Sequence, residues 1–253
     1  MYPKISIVTP SFNQGMFITE TINSVLNQNY PNLEYWVIDG GSSDDTVDIL
    51  KNFGGQIQWI SEKDNGQTDA INKGLRLATG DIIAFINSDD FYLPDTFHTV
   101  ANIFMDSNCM WLSGGYEIID ENNKIIQSFI PVYKRFLQLF SSSKLLSVVN
   151  YINQPSTFWK RELMNEVGFF DQSLNYALDF DYWIRAFQKY PLKTTKKSLS
   201  AFRIHATSKS GSQYIDQFDE ELFVLKKHKI GFPFNSLHFL HSEVIKLIYR
   251  LIK

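Results

Sequence analysis

The chain has a single cysteine, Cys109, so it cannot form an internal disulfide, and the apolar neighbours of that residue suit simple burial in a reducing compartment. Nowhere does it reach the roughly 18 uninterrupted apolar residues that a spanning helix requires. It also lacks a strong charge of either sign. Its 24 basic and 27 acidic residues leave −3, which argues against a protein held to nucleic acid mainly by phosphate contacts. Gly-x-Gly-x-x-Gly and Gly-x-x-x-x-Gly-Lys-Ser/Thr are both missing, which excludes a dinucleotide fingerprint and a P-loop. Met1 leads into the strand-like run Ile5 to Val8, too short for a signal-peptide core and without a small-residue cleavage site, so a cytoplasmic chain is expected.

What is present is an alternation of strand and helix. With 253 residues, 44% of them hydrophobic, the chain is long enough for one large domain with appendages. Residues 4–9 read as a strand stopped by Pro10, and helical spacing follows from Phe17 to Leu26. A strand over residues 34–38 ends at Asp39-Gly40-Gly41-Ser42-Ser43-Asp44, where Ser43 and Asp44 are candidate caps for the next helix. A third strand, near residues 57–61, leads through Asp64-Asn65-Gly66-Gln67 to a helix carrying Asp69 and Lys73. Such winding predicts a parallel sheet with right-handed crossovers, and ligands then bind at the strands' carboxyl ends. Asn13, Asp39, Asp64 with Asp69, and Asp89 all fall there; each residue alone is also an ordinary turn former or helix-start residue.

The fourth strand, residues 82–86, runs into Asn87-Ser88-Asp89-Asp90. Two apart on an extended segment, Asn87 and Asp89 lie on one side, so an amide oxygen and a carboxylate can converge on one hard cation whose open positions phosphate oxygens fill. Ser88 and Asp90 lie on the other side. The plainer reading is a turn and cap before a helix starting near Asp95.

Parallel winding then gives way: residues 110–119 and 124–130 look like strands of a hairpin turning at Asp120-Glu121-Asn122-Asn123. Residues 131–152 suit two short helices or a lid. A helix at Asp179-Phe180-Asp181 would set its two carboxylates about 200° apart. With Asp181 in a surface pair with Arg185, Asp179 becomes the cleft-facing carboxylate, or else a helix cap. In the strand over residues 194–204, period two puts Arg203 and His205 on one face, as a phosphate ligand and a metal ligand or, for the histidine, a hydrogen-bonded structural residue. Ser208, Lys209 and Ser210 add donors suited to a diphosphate. Two helices close the chain, residues 214–228 and 236–252. In the last, an apolar stripe (Leu237, Leu240, Val244, Leu247, Ile248, Leu251) runs beside Lys246, Arg250 and Lys253, which suits an anionic membrane surface, docking on the domain, or a homodimer.

Taken in order, the blocks Ile7-Val8-Thr9-Pro10-Ser11-Phe12-Asn13, Ile38 to Asp44, Glu62 to Gln67, Asp69 to Gly74, Asn87 to Asp90, and the Asp179 and His205 segments resemble the family 2 inverting glycosyltransferases of the GT-A fold. The resemblance implies an α/β architecture: a Rossmann-like, nucleotide-binding mixed sheet flanked by helices. It divides the chain into a domain over residues 1–210, with a nucleotide-sugar half (1–95) and an acceptor and catalytic half (96–210), and a C-terminal helical extension over 211–253. By the same resemblance a UDP-sugar is bound by Pro10, Ser11, Asn13 and Asp39, by Asp69 and Lys73, and by Asn87, Ser88 and Arg203. Mn²⁺ or Mg²⁺ is held by Asp89, Asp90 and His205, with Asn87 an uncharged departure at the first Asp-x-Asp position. Leu178-Asp179 keeps only the second carboxylate of the usual acidic pair, and Asp179 matches the general base. The implied acceptor is a glycan or undecaprenyl-diphosphate-linked saccharide in O-antigen or capsule biosynthesis, at the cytoplasmic face of the inner membrane. Two rivals make other demands: a non-catalytic nucleotide-sugar-binding module or partner subunit would lose the base, and a nucleotidyltransferase would need a basic Gly-rich loop where Pro10 to Gly15 has no cation.

Overall fold

Four strands and the three helices between them open the chain: β1 (Ile5–Ser11), α1 (Ile18–Leu26), β2 (Leu33–Asp39), α2 (Thr46–Asn52), β3 (Gln58–Ser61), α3 (Gln67–Leu77) and β4 (Ile82–Phe85). The computed structural model describes residues 2–106, 108–206, 208 and 214–252, the side chains of 214 and 248–252 excepted. Its first four strands are parallel in the order β3-β2-β1-β4. β1, β2 and β4 are largely buried because their side chains alternate between two apolar layers, while β3, at the edge, is only partly covered. Ile5, Ile7, Ile82, Ala84 and Ile86 pack with Ile18, Ile22 and Val25 of α1 and Leu50 of α2, while Val8, Ile83 and Phe85 pack with Ala70, Ile71 and Leu75 of α3.

β1 does not stop at Pro10, as the missing N–H led us to expect, but pairs on through Pro10 with Ile38 and Ser11 with Asp39. The reason is directional. Val8 accepts from Ile86 on the β4 side, and Pro10, two residues on, faces that same side beyond the last β1–β4 pair, so its nitrogen leaves no ladder bond unmade.

Beyond β4 come β5 (Phe91–Tyr92), α4 (Thr96–Phe104), β6 (Trp111–Ile119), α5 (Phe129–Gln138), α6 (Ser143–Leu146), β7 (Thr157–Lys160), α7 (Arg161–Val167), α8 (Leu178–Phe187) and β8 (Lys193–Arg203), then α9 (Tyr214–Lys227) and α10 (Phe234–Ile252). One mixed sheet results, ordered β3-β2-β1-β4-β7-β6-β8-β5, with β7 antiparallel to both neighbours. The expected hairpin is half right. Asp120 Oδ1 accepts from Asn122 and Lys124 N–H, both at 2.9 Å, and closes the turn. Beyond the turn, residues 124–130 add one bridge, Ile119 with Ile125, and the Ile126 N–H bond to Ile118 O at 2.8 Å, before the chain leaves the sheet for α5.

Asp181 is not the surface partner of Arg185 that the i,i+4 spacing suggested. It is fully buried and takes Arg185 Nε at 2.9 Å, Lys227 Nζ at 2.7 Å and His228 Nε2 at 2.9 Å. Burial alone would raise its carboxyl; the His228 and Lys227 bonds and the Arg185 charge carry it well below the carboxylate range. At the other end, Glu220 accepts from Asn175, Tyr176 and Ala177 N–H at 2.9, 2.6 and 2.6 Å. Val224 and Leu225 join the cluster of Trp159, Phe180 and Trp183, so α9 is built into the core.

The last helix is turned the other way from the expected docking. His238, Ser242 and Lys246, at i, i+4 and i+8, point inward, whereas Leu237, Leu240, Val244 and Leu247 are exposed. Lys246 is therefore no membrane-facing cation: it pairs with Asp219 at 3.3 Å and Glu243 at 3.0 Å. The side chains of Ile248, Arg250 and Leu251, together with Lys253, Lys209 and Ser210, lie outside the described residues.

Asp181→Asn leaves Lys227 and His228 facing a neutral amide, and urea denaturation at pH 7 is expected to show a loss of about 3–5 kcal/mol. Because the folded-state pKa is depressed, Asp181 contributes fully above the ordinary carboxylate range and less as pH falls through it; the gap between variant and parent should narrow on acidification.

Candidate active site

Three loops at the carboxyl ends of β1, β2 and β3 are stitched together by short polar side chains. Asn13, held in the left-handed region at φ 52°, accepts from Ser43 N–H at 2.9 Å and donates its own N–H to Ser42 Oγ at 2.7 Å. Asp44 accepts from Gly15 N–H at 2.9 Å and from Thr46 N–H, the first residue of α2, at 3.0 Å. Pro10 and Ser11 end β1, where Ser11 stands opposite Asp39. The Ser11 hydroxyl oxygen is buried without a hydrogen-bond partner among the described residues. Asp39 is buried too, its carboxylate taking Gly41 and Ser42 N–H at 3.1 and 2.9 Å and the Ser42 and Ser61 hydroxyls at 2.5 and 2.6 Å. Gly40 lets the Asp64 carboxylate close over the loop, since a Cβ on it would stand 2.7 Å from Asp64 Oδ2 and push that side chain aside.

Asp69 begins α3 buried, accepting from Asn65 N–H at 3.1 Å and Gln172 Nε2 at 3.1 Å. The Asn65 bond is the main cause of its lowered pKa, with Lys73 adding to it. Lys73 bridges Glu62 at 3.0 Å and Asp69 at 3.6 Å. These residues line one side of the rim, next to Gln67, whose amide donates to Asn87 Oδ1 at 2.7 Å.

Asn87-Ser88-Asp89-Asp90 is not extended, so the period-two pairing of Asn87 with Asp89 does not hold. The strand ends at Phe85, and Asp90 N–H donates to Asn87 O at 3.2 Å to close a turn. That turn pairs Asn87 Nδ2 with Asp90 Oδ2 at 3.2 Å instead. Ser88 is buried, its carbonyl accepting from Thr21 Oγ1 at 2.9 Å. Asp90 is buried as well, its other oxygen accepting Arg203 N–H at 2.9 Å; burial and then the neighbouring Asp89 push its carboxyl well up. The structure thus does not bring Asp90 to the place where Asp89 and His205 meet.

Asp89 Oδ2 and His205 Nε2 lie 3.0 Å apart. The imidazole also packs against the Phe17 ring, with centroids 4.7 Å apart. Arg203 does reach Asp89, but as a strut rather than a phosphate ligand. Its buried guanidinium donates to Asp89 O at 2.8 Å, Asp120 O at 3.2 Å, Asn123 Oδ1 at 2.6 Å and Glu20 Oε2 at 2.5 Å, beside the Phe17 face. Among the described residues no group of three or more His, Cys, Asp or Glu side chains could hold a metal unaided. A carboxylate and an imidazole at a partly exposed rim do fit a divalent cation that takes its remaining ligands from a bound phosphate.

A cavity of about 950 Å³ runs from Gln67 and Asn87 to Asp179 at the start of α8, walled by Phe85, Tyr116, Phe129, Tyr133, Tyr176 and Phe202. Burial, and then the charge of Glu221, pushes the Asp179 carboxyl up to about 7, with Lys134 opposing. Lys134 and Glu221 line the same cavity from α5 and α9. Burial pushes the Lys134 ammonium down. The arrangement offers a proton acceptor poised near neutrality at one end of an aromatic cavity and a site for anionic oxygens near the other.

The sequence profile of Glycosyl transferase family 2 matches residues 6–166, from β1 into α7. The chain belongs to glycosyl transferase family 2. An uncharacterized glycosyltransferase of Rickettsia felis is 28% identical over 227 residues, covering 88% of this family 2 chain but 37% of that protein. Escherichia coli WfgD, a UDP-Glc:alpha-D-GlcNAc-diphosphoundecaprenol beta-1,3-glucosyltransferase, is 35% identical over 132 residues, 51% of this chain and 52% of its own. Among solved structures, the mannosyltransferase PcManGT from Pyrobaculum calidifontis in complex with GDP-Man and Mn²⁺ superposes with a TM-score of 0.71 at 19% identity, over 96% of this chain and 69% of that one. S. aureus TarS 1–349 in complex with UDP-GlcNAc gives 0.66 at 18% identity, over 87% and 65%. The fold of the family 2 chain is GT-A. Among the described residues no helix is long and apolar enough to cross a membrane.

Sequence reasoning passed over three residues that line this family 2 member's cavity. Gln67 was within reach, since it closes the Asp-Asn-Gly-Gln block and begins α3. Lys134 and Glu221 gave no local signal, because the fold brings them to Asp179 from 45 residues before it and 42 after it.

Proposed function

We propose that this family 2 member is an inverting glycosyltransferase that moves a sugar from a UDP-sugar to a hydroxyl of a glycan or undecaprenyl-diphosphate-linked saccharide, in the assembly of bacterial surface polysaccharide of the O-antigen or capsule type. The observation that carries this reading is the cavity joining Asn87, the residue two before Asp89, to a carboxyl raised by burial to about 7. The nucleotide belongs with residues 1–95, at Pro10, Ser11, Asn13, Asp39, Asp69 and Lys73; the acceptor belongs with residues 96–210, and α9 and α10 brace them. Support for the acceptor class comes from the diphosphoundecaprenol in the name of WfgD.

Asp179 takes the proton of the acceptor hydroxyl while that oxygen bonds to the anomeric carbon from the face opposite the diphosphate. The bond from the anomeric carbon to the diphosphate oxygen breaks with its electron pair leaving on the diphosphate, so the centre inverts in one displacement. Asp89 and His205 would hold Mn²⁺ or Mg²⁺, which when bound supplies positive charge to the departing diphosphate. Asp90 and Arg203 keep the turn that carries Asp89 in place.

The protein works on the cytoplasmic face of the inner membrane. α5 and α10 both line the cavity, and both turn apolar side chains outward: Phe129, Val132 and Phe136 on one, Leu240, Val244 and Leu247 on the other. Two such faces flanking one cavity suit a lipid surface from which a lipid-linked acceptor enters.

Asp179→Asn is expected to keep UDP binding, read by calorimetry with Mn²⁺, and to lower transfer about 10²–10⁴-fold, read as UDP release across a panel of nucleotide sugars with lipid-linked acceptors; transfer at the parent's rate removes the base. Asp89→Ala should weaken UDP binding in Mn²⁺ but scarcely in chelator, and an equal loss in both would remove the metal role. In flotation with anionic phospholipid vesicles, Leu240→Glu with Val244→Glu should lose binding. A parent that stays unbound but scatters light as a dimer would assign those faces to a second copy instead.

A further inference from the structure

Asp179 stands without an acidic neighbour in the chain, since Leu178 precedes it, yet a second carboxylate reaches its cavity from 42 residues away. Glu221 is 1% exposed. Its Oε1 accepts from Asn150 Nδ2 at 3.1 Å and Gln217 Nε2 at 3.3 Å, and its Oε2 lies 3.1 Å from His238 Nε2. A carboxylate with those donors is held ionised in the cavity wall, which makes it a fixed charge and a poor proton acceptor. Its neighbour Glu220 grips the N–H groups of Asn175, Tyr176 and Ala177, which lead directly into the first turn of α8. Adjacent residues of α9 therefore fix the helix start that carries Asp179 and place an anion in the same cavity.

We propose that Glu221 is a positioning residue for transfer: a fixed anion, supplied by a helix beyond the family-matched residues, whose charge makes Asp179 a stronger proton acceptor. This rests on reading Asp179 as the base. The acceptor hydroxyl gives up its proton only reluctantly, and a carboxylate of ordinary basicity in water is a poor partner for it. Burial in an aromatic cavity supplies part of the correction, and a like charge that cannot leave supplies more. The other groups facing this cavity are Lys134 and Tyr133 from α5, Tyr116 from β6, Tyr176 before α8, and His241 from α10, with His238 of the same helix against Glu221. Asp181, on the opposite side of α8, is committed to Arg185, Lys227 and His228. Lys134 works against Glu221, since it favours the Asp179 anion.

The test needs no substrate. In the full chain labelled with ¹³C at aspartate carboxyls, the Asp179 signal is assigned by its absence from Asp179→Asn and titrated between pH 4 and 9, a range of about two units or more on either side of the expected midpoint. A midpoint near 7 is expected in the parent. Glu221→Gln keeps size and most hydrogen bonds while removing the charge, so the midpoint should fall by about one unit. Glu221→Asp, which restores the charge, should return it toward the parent value, as a purely structural role would not. A midpoint unmoved in Glu221→Gln, or lowered equally in Glu221→Asp, overturns the assignment. Transfer by Asp179→Asn reads the base itself, so the two failures are distinguishable.

Discussion

One buried guanidinium holds the rim together. Arg203, at the end of β8, reaches the turn after β4, the turn after β6 and Glu20 on α1, each through a separate donor, and its backbone N–H takes the Asp90 carboxylate. A buried cation is tolerable only when its hydrogen-bond demands are met and a counter-charge lies close; the Asp89 and Asp120 carbonyls with Asn123 meet the first demand, and Glu20 meets the second. The planar fork matters because the acceptors diverge in directions a single ammonium could not satisfy together. The placement of Asp89 beside His205 follows: the backbone carbonyl of the first is gripped by the guanidinium, and the second lies two residues past it in sequence.

The first ninety residues were readable because each strand and helix there buries a contiguous apolar stripe against its nearest neighbours, so period two and period 3.6 appear undisguised. Val8 and Ile71, or Ile7 and Ile22, announce their elements before they meet. Failure began where pairing is settled at a distance. Ile125 sits in a good strand pattern and still makes one bridge, while β6 takes its long partner from β8, about 75 residues further along the chain, where no local pattern announces it. The site shows the same division: Asp39, Asp69 and Asp89 were legible as polar ends of readable strands and starts of readable helices, whereas the true partner of Asn87 depended on a turn that a period-two argument cannot represent.

α10 shows what an amphipathic pattern leaves undecided. Its stripe of Leu237, Leu240, Val244 and Leu247 says that one face differs from the other, and the usual inference sends the apolar face inward. Here the surface awaiting it carries Glu221 and Asp219, so His238 and Lys246 turn toward the protein. The buried Glu221 carboxylate gains more from His238 beside it than a leucine gains from leaving water, since an unpaired buried charge costs several kcal/mol by order of magnitude and one leucine side chain returns about 2. The orientation of the last helix is thus a consequence of a charge near the candidate base, and the outward leucines are its by-product.

α8 carries the sharpest contrast. Asp179 and Asp181 are two residues apart, and their carboxyls are driven in opposite directions. Helical geometry puts them on opposite faces, which accounts for the separation but not for the signs. Burial pushes both carboxyls up, and the partners supplied by α9 then part them. Lys227 at its end and His228 just past it meet Asp181 with positive charge and hydrogen bonds, while Glu221 nearer its start meets Asp179 with negative charge. One helix, bolted to α8 by Glu220, thereby makes one carboxylate a permanent structural anion and leaves the other able to exchange a proton near neutral pH. Had α9 been a loosely attached extension, both carboxylates would face water and titrate alike; the inward Val224 and Leu225 are what make the difference in sign durable.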